Sequence, residues 1–133
     1  MKVRTALLVL LLFIGACGDD GSSPDGPTEA SVALDDFAFA PATITVTAGE
    51  QVTINVSNIG GIQHSWVLLQ GGAEVTTGSE VTDAITLAGT ADLDPGQSET
   101  VTFTAPEAGS YQIVCHIPGH IEAGMVGSLE VGG

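Results

Sequence analysis

Apolar and polar residues alternate along several short stretches of this chain, and a two-residue period is typical of strands with one buried face. The cleanest stretch is TITVT at 43–47, in which every residue is β-branched. Turn-forming residues separate the stretches, as in DPGQ at 94–97. We therefore predict an all-β fold with strands over residues 32–40, 43–47, 51–57, 64–70, 98–104, 112–114 and 125–131.

Residues 71–95 mix threonine, glycine and acidic residues without a convincing period. We expect a long excursion from the sheets there, with at most one short helix around residues 82–87. Two aromatic residues outside this region have predicted structural roles. Trp66 is expected in the core, and Tyr111 either forms a tyrosine-corner hydrogen bond at the start of its strand or is a plain core aromatic.

The first residues have the pattern of an export signal. Lys2 and Arg4 precede an apolar run at 6–14 and two small residues, and Ile-Gly-Ala-Cys17 resembles a bacterial lipoprotein box, which predicts lipidation of Cys17. An ordinary secretory signal or an uncleaved anchor is the alternative. We predict a signal peptide over 1–16, a flexible tether over 17–30 and one domain over 31–133, with the protein exported and lipid-anchored to a membrane, facing the periplasm or the cell exterior.

The charge is strongly one-sided. The chain carries 16 acidic residues against two basic ones, and both basic residues lie in the signal. Nucleic acid is excluded as a ligand, because phosphate binding depends on basic side chains. An acidic surface would attract redox proteins with basic docking surfaces, such as some cytochromes, although acidity can also serve solubility alone.

Soft and borderline metal ligands are spaced evenly near the C-terminus. Four residues separate Cys115 from His120, and four more separate His120 from Met125. A second imidazole, His64, lies upstream at the start of the strand predicted over residues 64–70. Two histidines and one cysteine with a weak axial methionine make up the ligand set of a mononuclear blue-copper electron-transfer site. Zinc also binds histidine and cysteine, but a thioether is an unusual zinc ligand.

The motifs C-x4-H-x4-M, PGH, GM-x-G and H-x-W-V-L resemble those of the cupredoxin family of small type 1 blue copper proteins, in particular plastocyanin, azurin and auracyanin. The resemblance implies a Greek-key β-sandwich of about eight strands. It also implies one copper ion, with His64, Cys115 and His120 as equatorial ligands and Met125 as the axial one. Electrons would then pass through a partly exposed edge of His120.

The resemblance also predicts roles for residues beside the ligands. Many relatives have asparagine after the first histidine, where it ties two ligand loops together, but this chain has Ser65. Gly119 is expected to support His120 by allowing the turn after Pro118. An apolar patch is expected around His120, formed by Ile59, Ile62, Ile117, Pro118 and Ile121.

Several alternatives bear on function. The loop is similar to the last ligand loop of multicopper oxidases, but the three histidines of the chain cannot build a trinuclear centre, so we predict no enzyme. A copper carrier or storage protein with a labile site is the alternative to electron transfer. His116 should point away from the metal, because it follows Cys115 in an alternating strand end. With Cys17 lipidated and Cys115 on copper, no disulfide is predicted, and we expect a monomer.

Overall fold

The computed structural model describes residues 27–133, so the predicted signal peptide, Cys17 and most of the predicted tether lie outside the described residues. Within this part the chain forms nine strands and two single 3₁₀ turns, at Gly78–Glu80 and Asp83–Ile85. The strands are β1 Thr28–Asp35, β2 Ala38–Ala40, β3 Thr43–Thr47, β4 Gln51–Asn58, β5 Val67–Leu69, β6 Thr86–Gly89, β7 Ser98–Thr104, β8 Gly109–Val114 and β9 Val126–Gly132. Neither helical turn within residues 27–133 has the length or the apolar character needed to cross a bilayer.

The strands form two sheets, in the orders β2-β1-β4-β7 and β3-β9-β8-β5-β6. Pairing is parallel between β1 and β4 and between β3 and β9, and antiparallel elsewhere. The predicted all-β sandwich is confirmed. It has more strands than expected because the stretch 32–40 breaks at Asp36 and Phe37, the latter with a φ of 62°, and because residues 86–89 add an edge strand.

Alternation produces the core directly. In β4, Val52, Ile54 and Val56 are completely buried, while Thr53 and Asn55 between them are half-buried. Trp66 is also completely buried and lies against Phe103 of β7, with ring centroids 6.4 Å apart. The prediction of a core role for Trp66 is confirmed.

Strand β8 leads into the predicted ligand loop, and Tyr111 fixes its beginning. The Tyr111 hydroxyl donates a 2.6 Å hydrogen bond to the carbonyl of Glu107, four residues upstream, and the ring is buried. This is the hydrogen bond of a tyrosine corner. Of the two roles predicted for Tyr111, the structure therefore shows the tyrosine corner. The strand that Tyr111 anchors ends at Val114, directly before Cys115.

The excursion after β5 contains less helix than the sequence suggested. A 3₁₀ turn spans Asp83–Ile85, but Thr86–Gly89 is strand β6, paired with β5. Threonine at 86 and the neighbouring edge of β5 favour extended backbone, since β-branched residues suit a half-buried pleated surface. At the other end of the domain, β1 begins at Thr28, so residues 28–30 lie in the sheet and not in the predicted tether.

Candidate metal centre

Three side chains that are far apart in sequence converge at one end of the sandwich. Ligand-capable atoms of His64, Cys115 and His120 all lie within 4.8 Å of one another. Nδ1 of His120 is 3.2 Å from Nδ1 of His64 and 3.3 Å from Sγ of Cys115. His64 and Cys115 are completely buried and His120 is 7% exposed. The structure therefore places two imidazole nitrogens and one thiol sulfur around a single point shielded from water.

His64 stands just before β5 and is held from its backbone. It forms an isolated bridge with Leu93, in which His64 N donates to Leu93 O at 3.1 Å and Leu93 N donates to His64 O at 2.8 Å. The predicted strand over 64–70 is shorter in the structure, at Val67–Leu69. The bridge nevertheless fixes the backbone at His64, so its ring enters the cluster from a rigid frame.

The ligand loop, residues 115–125, folds back through hydrogen bonds between its own residues. His120 N donates to Ile117 O at 3.1 Å, and Met125 N donates to His120 O at 3.0 Å. Gly119 has a φ of +86°, a left-handed conformation that favours glycine. The turn predicted from Pro118-Gly119 is thus present. Met125 is completely buried, and its backbone is tied to His120.

Ser65 joins the two parts of the chain that carry the cluster. Its backbone N–H lies 3.3 Å from Cys115 Sγ and its hydroxyl 3.7 Å from the same sulfur. The Ser65 hydroxyl also accepts a 3.1 Å hydrogen bond from His116 N. In many relatives an asparagine links the two ligand loops. In this chain Ser65, whose shorter side chain is completely buried, links them instead.

His120 is more enclosed than the sequence indicated. Only a small edge of His120 is exposed, 7% of its surface. Phe37 lies edge-on against the ring, with centroids 5.1 Å apart. Burial, with the nearby His64 ring as a second cause, lowers the pKa of His120 below its usual range. The neutral imidazole, which is the form that binds metal, is favoured as a result.

The second nitrogen of His64 contacts a carboxylate. Nε2 of His64 lies 3.1 Å from Oδ1 of Asp36, whose side chain is 46% exposed. The hydrogen bond from His64 is the largest cause that holds the pKa of Asp36 below its usual range. Sequence reasoning missed both Asp36 and Phe37, because they sit within a stretch assigned to one strand. The signal was Asp35-Asp36 interrupting a weak alternation.

His116 lies outside the cluster. Its Nε2 is 2.7 Å from Oδ1 of Asp92, and both side chains are partly exposed. The expected apolar patch is only partly present. Of the predicted residues, Ile59 and Ile62 are exposed at 63% and 41%, Pro118 is exposed and Ile117 is half-buried. Phe37, which was not predicted, adds a side chain that is 42% exposed. Ile121 is buried in a separate core cluster with Val67, Leu69, Val75 and Val114. Ile121 is therefore removed from the patch, since its side chain fills the core.

The donor set fits copper. One thiolate and two imidazoles in a dry, three-sided arrangement suit a copper ion that cycles between Cu(I) and Cu(II). Structural zinc sites use four strong ligands, and the cluster contains three. A β-sandwich with a His-Cys-His cluster at one end defines the class of mononuclear copper proteins.

Comparison with known proteins agrees with this class. Residues 27–132 match the model of copper binding proteins of the plastocyanin/azurin family, and the chain belongs to that family. Auracyanin-A of Chloroflexus aurantiacus is 31% identical over 156 residues, covering 98% of this chain and 96% of that protein. Auracyanin-B of the same organism is 36% identical over 126 residues, covering 82% of this chain; the match spans only 53% of auracyanin-B.

Two further similarities are informative. The copper-resistant cuproprotein CopI of Rubrivivax gelatinosus is 34% identical over 133 residues, covering 88% of this chain and 79% of that protein. The solved structure of dithionite-reduced auracyanin from the photosynthetic bacterium Roseiflexus castenholzii superposes with a TM-score of 0.74 at 30% identity, covering 81% of this chain and 99% of that one. The fold is thus a cupredoxin sandwich, and the cofactor is a single type 1 copper.

Proposed function

We propose that this protein is a one-electron carrier in which His64, Cys115 and His120 would hold a copper ion, with Met125 as a fourth, weaker ligand. The observation that carries the proposal is the convergence of one sulfur and two imidazole nitrogens within 4.8 Å in a buried pocket. Copper, when bound, supplies a Cu(I)/Cu(II) couple that gains or loses one electron. Because the role is transfer and not bond chemistry, we propose no catalytic residue.

The protein contributes a fixed geometry. Cys115 binds as a thiolate and both histidines bind as neutral imidazoles. Hydrogen bonds from Ser65 to the Cys115 sulfur withdraw electron density from it, which favours the reduced ion. The rigid ligand loop and the bridge at His64 keep the donors in place in both oxidation states, so little rearrangement accompanies each transfer.

Electrons would enter and leave where Phe37 covers His120, since this aromatic ring is both exposed and in contact with the ligand ring. The partners we propose are redox proteins, among them cytochromes, with basic residues around an apolar contact. That choice rests on charge: no lysine or arginine follows Arg4 in the sequence. Such docking would be weak and would weaken further with salt.

We also propose that the domain is exported and attached to a membrane through lipidated Cys17, facing the periplasm or the cell exterior. The support is the signal-like sequence 1–16 and its lipoprotein-box resemblance. Expression of Cys17→Ser should move the protein from the membrane fraction to the soluble exported fraction. Unchanged membrane association would contradict the anchor and leave the copper site unaffected.

A copper carrier or storage role is the second candidate, and the similarity to CopI of Rubrivivax gelatinosus favours it. The two roles differ in how tightly Cu(I) is held. The copper-loaded protein is reduced, exposed to a Cu(I) chelator and reoxidised while the thiolate-to-copper absorption band is followed. Full return of the band supports electron transfer, whereas rapid loss of copper to the chelator supports the carrier.

A further inference from the structure

We infer that Asp36 is a positioning residue for the copper site. Its carboxylate accepts a hydrogen bond from Nε2–H of His64 and so leaves Nδ1 of that ring free to bind the ion. The inference rests on the proposed copper function and extends it to a residue outside the ligand set. Asp36 Oδ1 and His64 Nε2 are 3.1 Å apart. The opposite ring nitrogen, Nδ1, faces His120 Nδ1 at 3.2 Å.

A neutral imidazole carries one proton, and its position decides which nitrogen can bind metal. A carboxylate accepts hydrogen bonds and cannot donate when ionised. With Asp36 at Nε2, the proton is therefore held on that nitrogen and the lone pair on Nδ1 points into the cluster. The ring of His64 is completely buried, so water does not compete for either nitrogen.

The carboxylate is itself held in place. Gly61 N donates a 2.9 Å hydrogen bond to the same Oδ1 atom, and Asp36 N donates to Asp35 Oδ1 at 2.8 Å. The neighbouring backbone is tied as well, because Ile59 N and Gly60 N both donate to Leu34 O, at 2.9 and 3.1 Å. The β1–β2 turn and the loop before His64 are thus one connected unit.

Gly60 provides an independent sign that this contact is built into the fold. A Cβ atom at position 60 would collide with Asp36 Oδ1 and would lie 3.0 Å from His64 Nε2. Any side chain there would push the carboxylate and the imidazole apart. The absence of a side chain at Gly60 is what allows Asp36 to reach the ring.

The carboxylate should also affect the ion. An anion hydrogen-bonded to the outer nitrogen increases the basicity of the inner one and strengthens its bond to the more positive ion. Asp36 therefore favours Cu(II) over Cu(I) and lowers the reduction potential. Loss of such a partner typically costs about 10–100-fold in metal affinity.

The first test uses the copper-free protein, so its outcome does not depend on electron transfer. In protein labelled with ¹⁵N-histidine, NMR reports which nitrogen of His64 carries the proton. We expect Nε2–H in the wild type and in Asp36→Asn, whose amide oxygen can still accept the hydrogen bond from Nε2–H, and a mixture of tautomers in Asp36→Ala. A wild-type His64 protonated on Nδ1 would overturn the inference.

The second test measures Cu(II) affinity and the reduction potential, with Glu122→Gln as the matched control. Glu122 is an exposed carboxylate that acts on His120 through charge. We expect Cu(II) affinity to fall about 10–100-fold in Asp36→Ala, less in Asp36→Asn and less again in Glu122→Gln. A tenfold larger loss for Cu(II) than for Cu(I) raises the potential by about 59 mV.

Equal shifts in Asp36→Ala and Glu122→Gln would show that only the removed charge matters and would overturn a positioning role. Gly60→Ala separates contact from charge, since it displaces the carboxylate without removing it. We expect it to shift the His64 tautomer towards the mixture seen for Asp36→Ala, and an unchanged tautomer would contradict the inference. If copper binds without a blue band, the proposed function is wrong. The role of Asp36 in fixing the His64 tautomer is still decided by the NMR measurement on the copper-free protein.

Discussion

Two connections that extend from the same sheet are organised in different ways: the ligand loop, residues 115–125, and the segment of residues 70–85 between β5 and β6. In the ligand loop the side chains Cys115 and His120 point at one site, and backbone hydrogen bonds hold the loop around it. In the 70–85 segment, side chains bond to nearby backbone. Glu80 accepts hydrogen bonds from the N–H groups of Thr76 and Thr77, at 2.7 and 2.9 Å.

The two regions touch, because Gly78 packs against the backbone carbonyl of His116, directly after Cys115. The segment thus supports the ligand loop from outside and supplies none of its donors. The difference suggests that chemistry and stability are separable here. Substitution of the ligand side chains in the loop should alter the copper site and spare the fold. Substitutions in the segment should lower stability and spare the copper site.

The largest expected effect is that of Cys115→Ser. A hydroxyl cannot replace the thiolate, so the visible thiolate-to-copper band should be lost completely. Far-UV circular dichroism should still report the β fold, because the remaining core is untouched. A retained blue colour would contradict the assignment of Cys115 as a ligand. Loss of the fold would contradict the separation of copper chemistry from stability.

Gly78→Ala should lower stability and leave the copper site intact. A Cβ at position 78 would collide with the His116 carbonyl, and backbone cannot yield as a flexible side chain can. We expect a loss of about 1–3 kcal/mol in the free energy of unfolding, measured by urea denaturation of the copper-free protein, with the blue band retained. Ser79→Ala, at the exposed neighbouring position, is the control and should change little. Unaltered stability in Gly78→Ala would show that the packing is loose.

Met125→Leu should give a smaller change within the ligand loop. Methionine and leucine side chains are similar in volume. The substitution at this buried position should therefore lower the free energy of unfolding by less than about 1.5 kcal/mol. Removing a weak sulfur donor to Cu(II) should raise the reduction potential while the blue band remains. Protein-film voltammetry measures the shift, and a variant that loses all copper would mean that Met125 is more than an axial ligand.

The smallest expected effect concerns acid. His120 has a lowered pKa in the folded, copper-free protein because it is buried, and regains its ordinary value near 6.5 on unfolding. Below pH 6.5 the unfolded chain therefore binds the proton first, and stability should fall as the pH is lowered through that value. Urea denaturation at a series of pH values measures the slope. His120→Asn should flatten it, and an equal slope in that variant would assign the effect to other groups.

The ligand loop was predictable because metal chemistry restricts residue types and spacing. Cys115, His120 and Met125 stand at even intervals, and few residue types could replace them. The clean alternation of β3 and β7 was equally predictable, and both strands have the predicted bounds. In each case the pattern is local in the sequence.

The rest depends on contacts that no local pattern records. Asp36 and Phe37 meet the histidines only because β1 pairs in parallel with β4 and brings their turn beside the loop before His64. The 70–85 segment is likewise fixed from a distance, since the Gln112 side chain bonds to both the N–H and the carbonyl of Val75. Polar contacts of this kind leave no period in the sequence.

The most direct test of the central claim is X-ray absorption spectroscopy of the protein loaded with one equivalent of copper. We predict a shell with one short sulfur scatterer and two imidazole nitrogens, from Cys115, His64 and His120. The imidazole contribution should fall to one ring in His64→Ala. A shell that contains only nitrogen and oxygen donors, or that is unchanged in His64→Ala, would contradict the account.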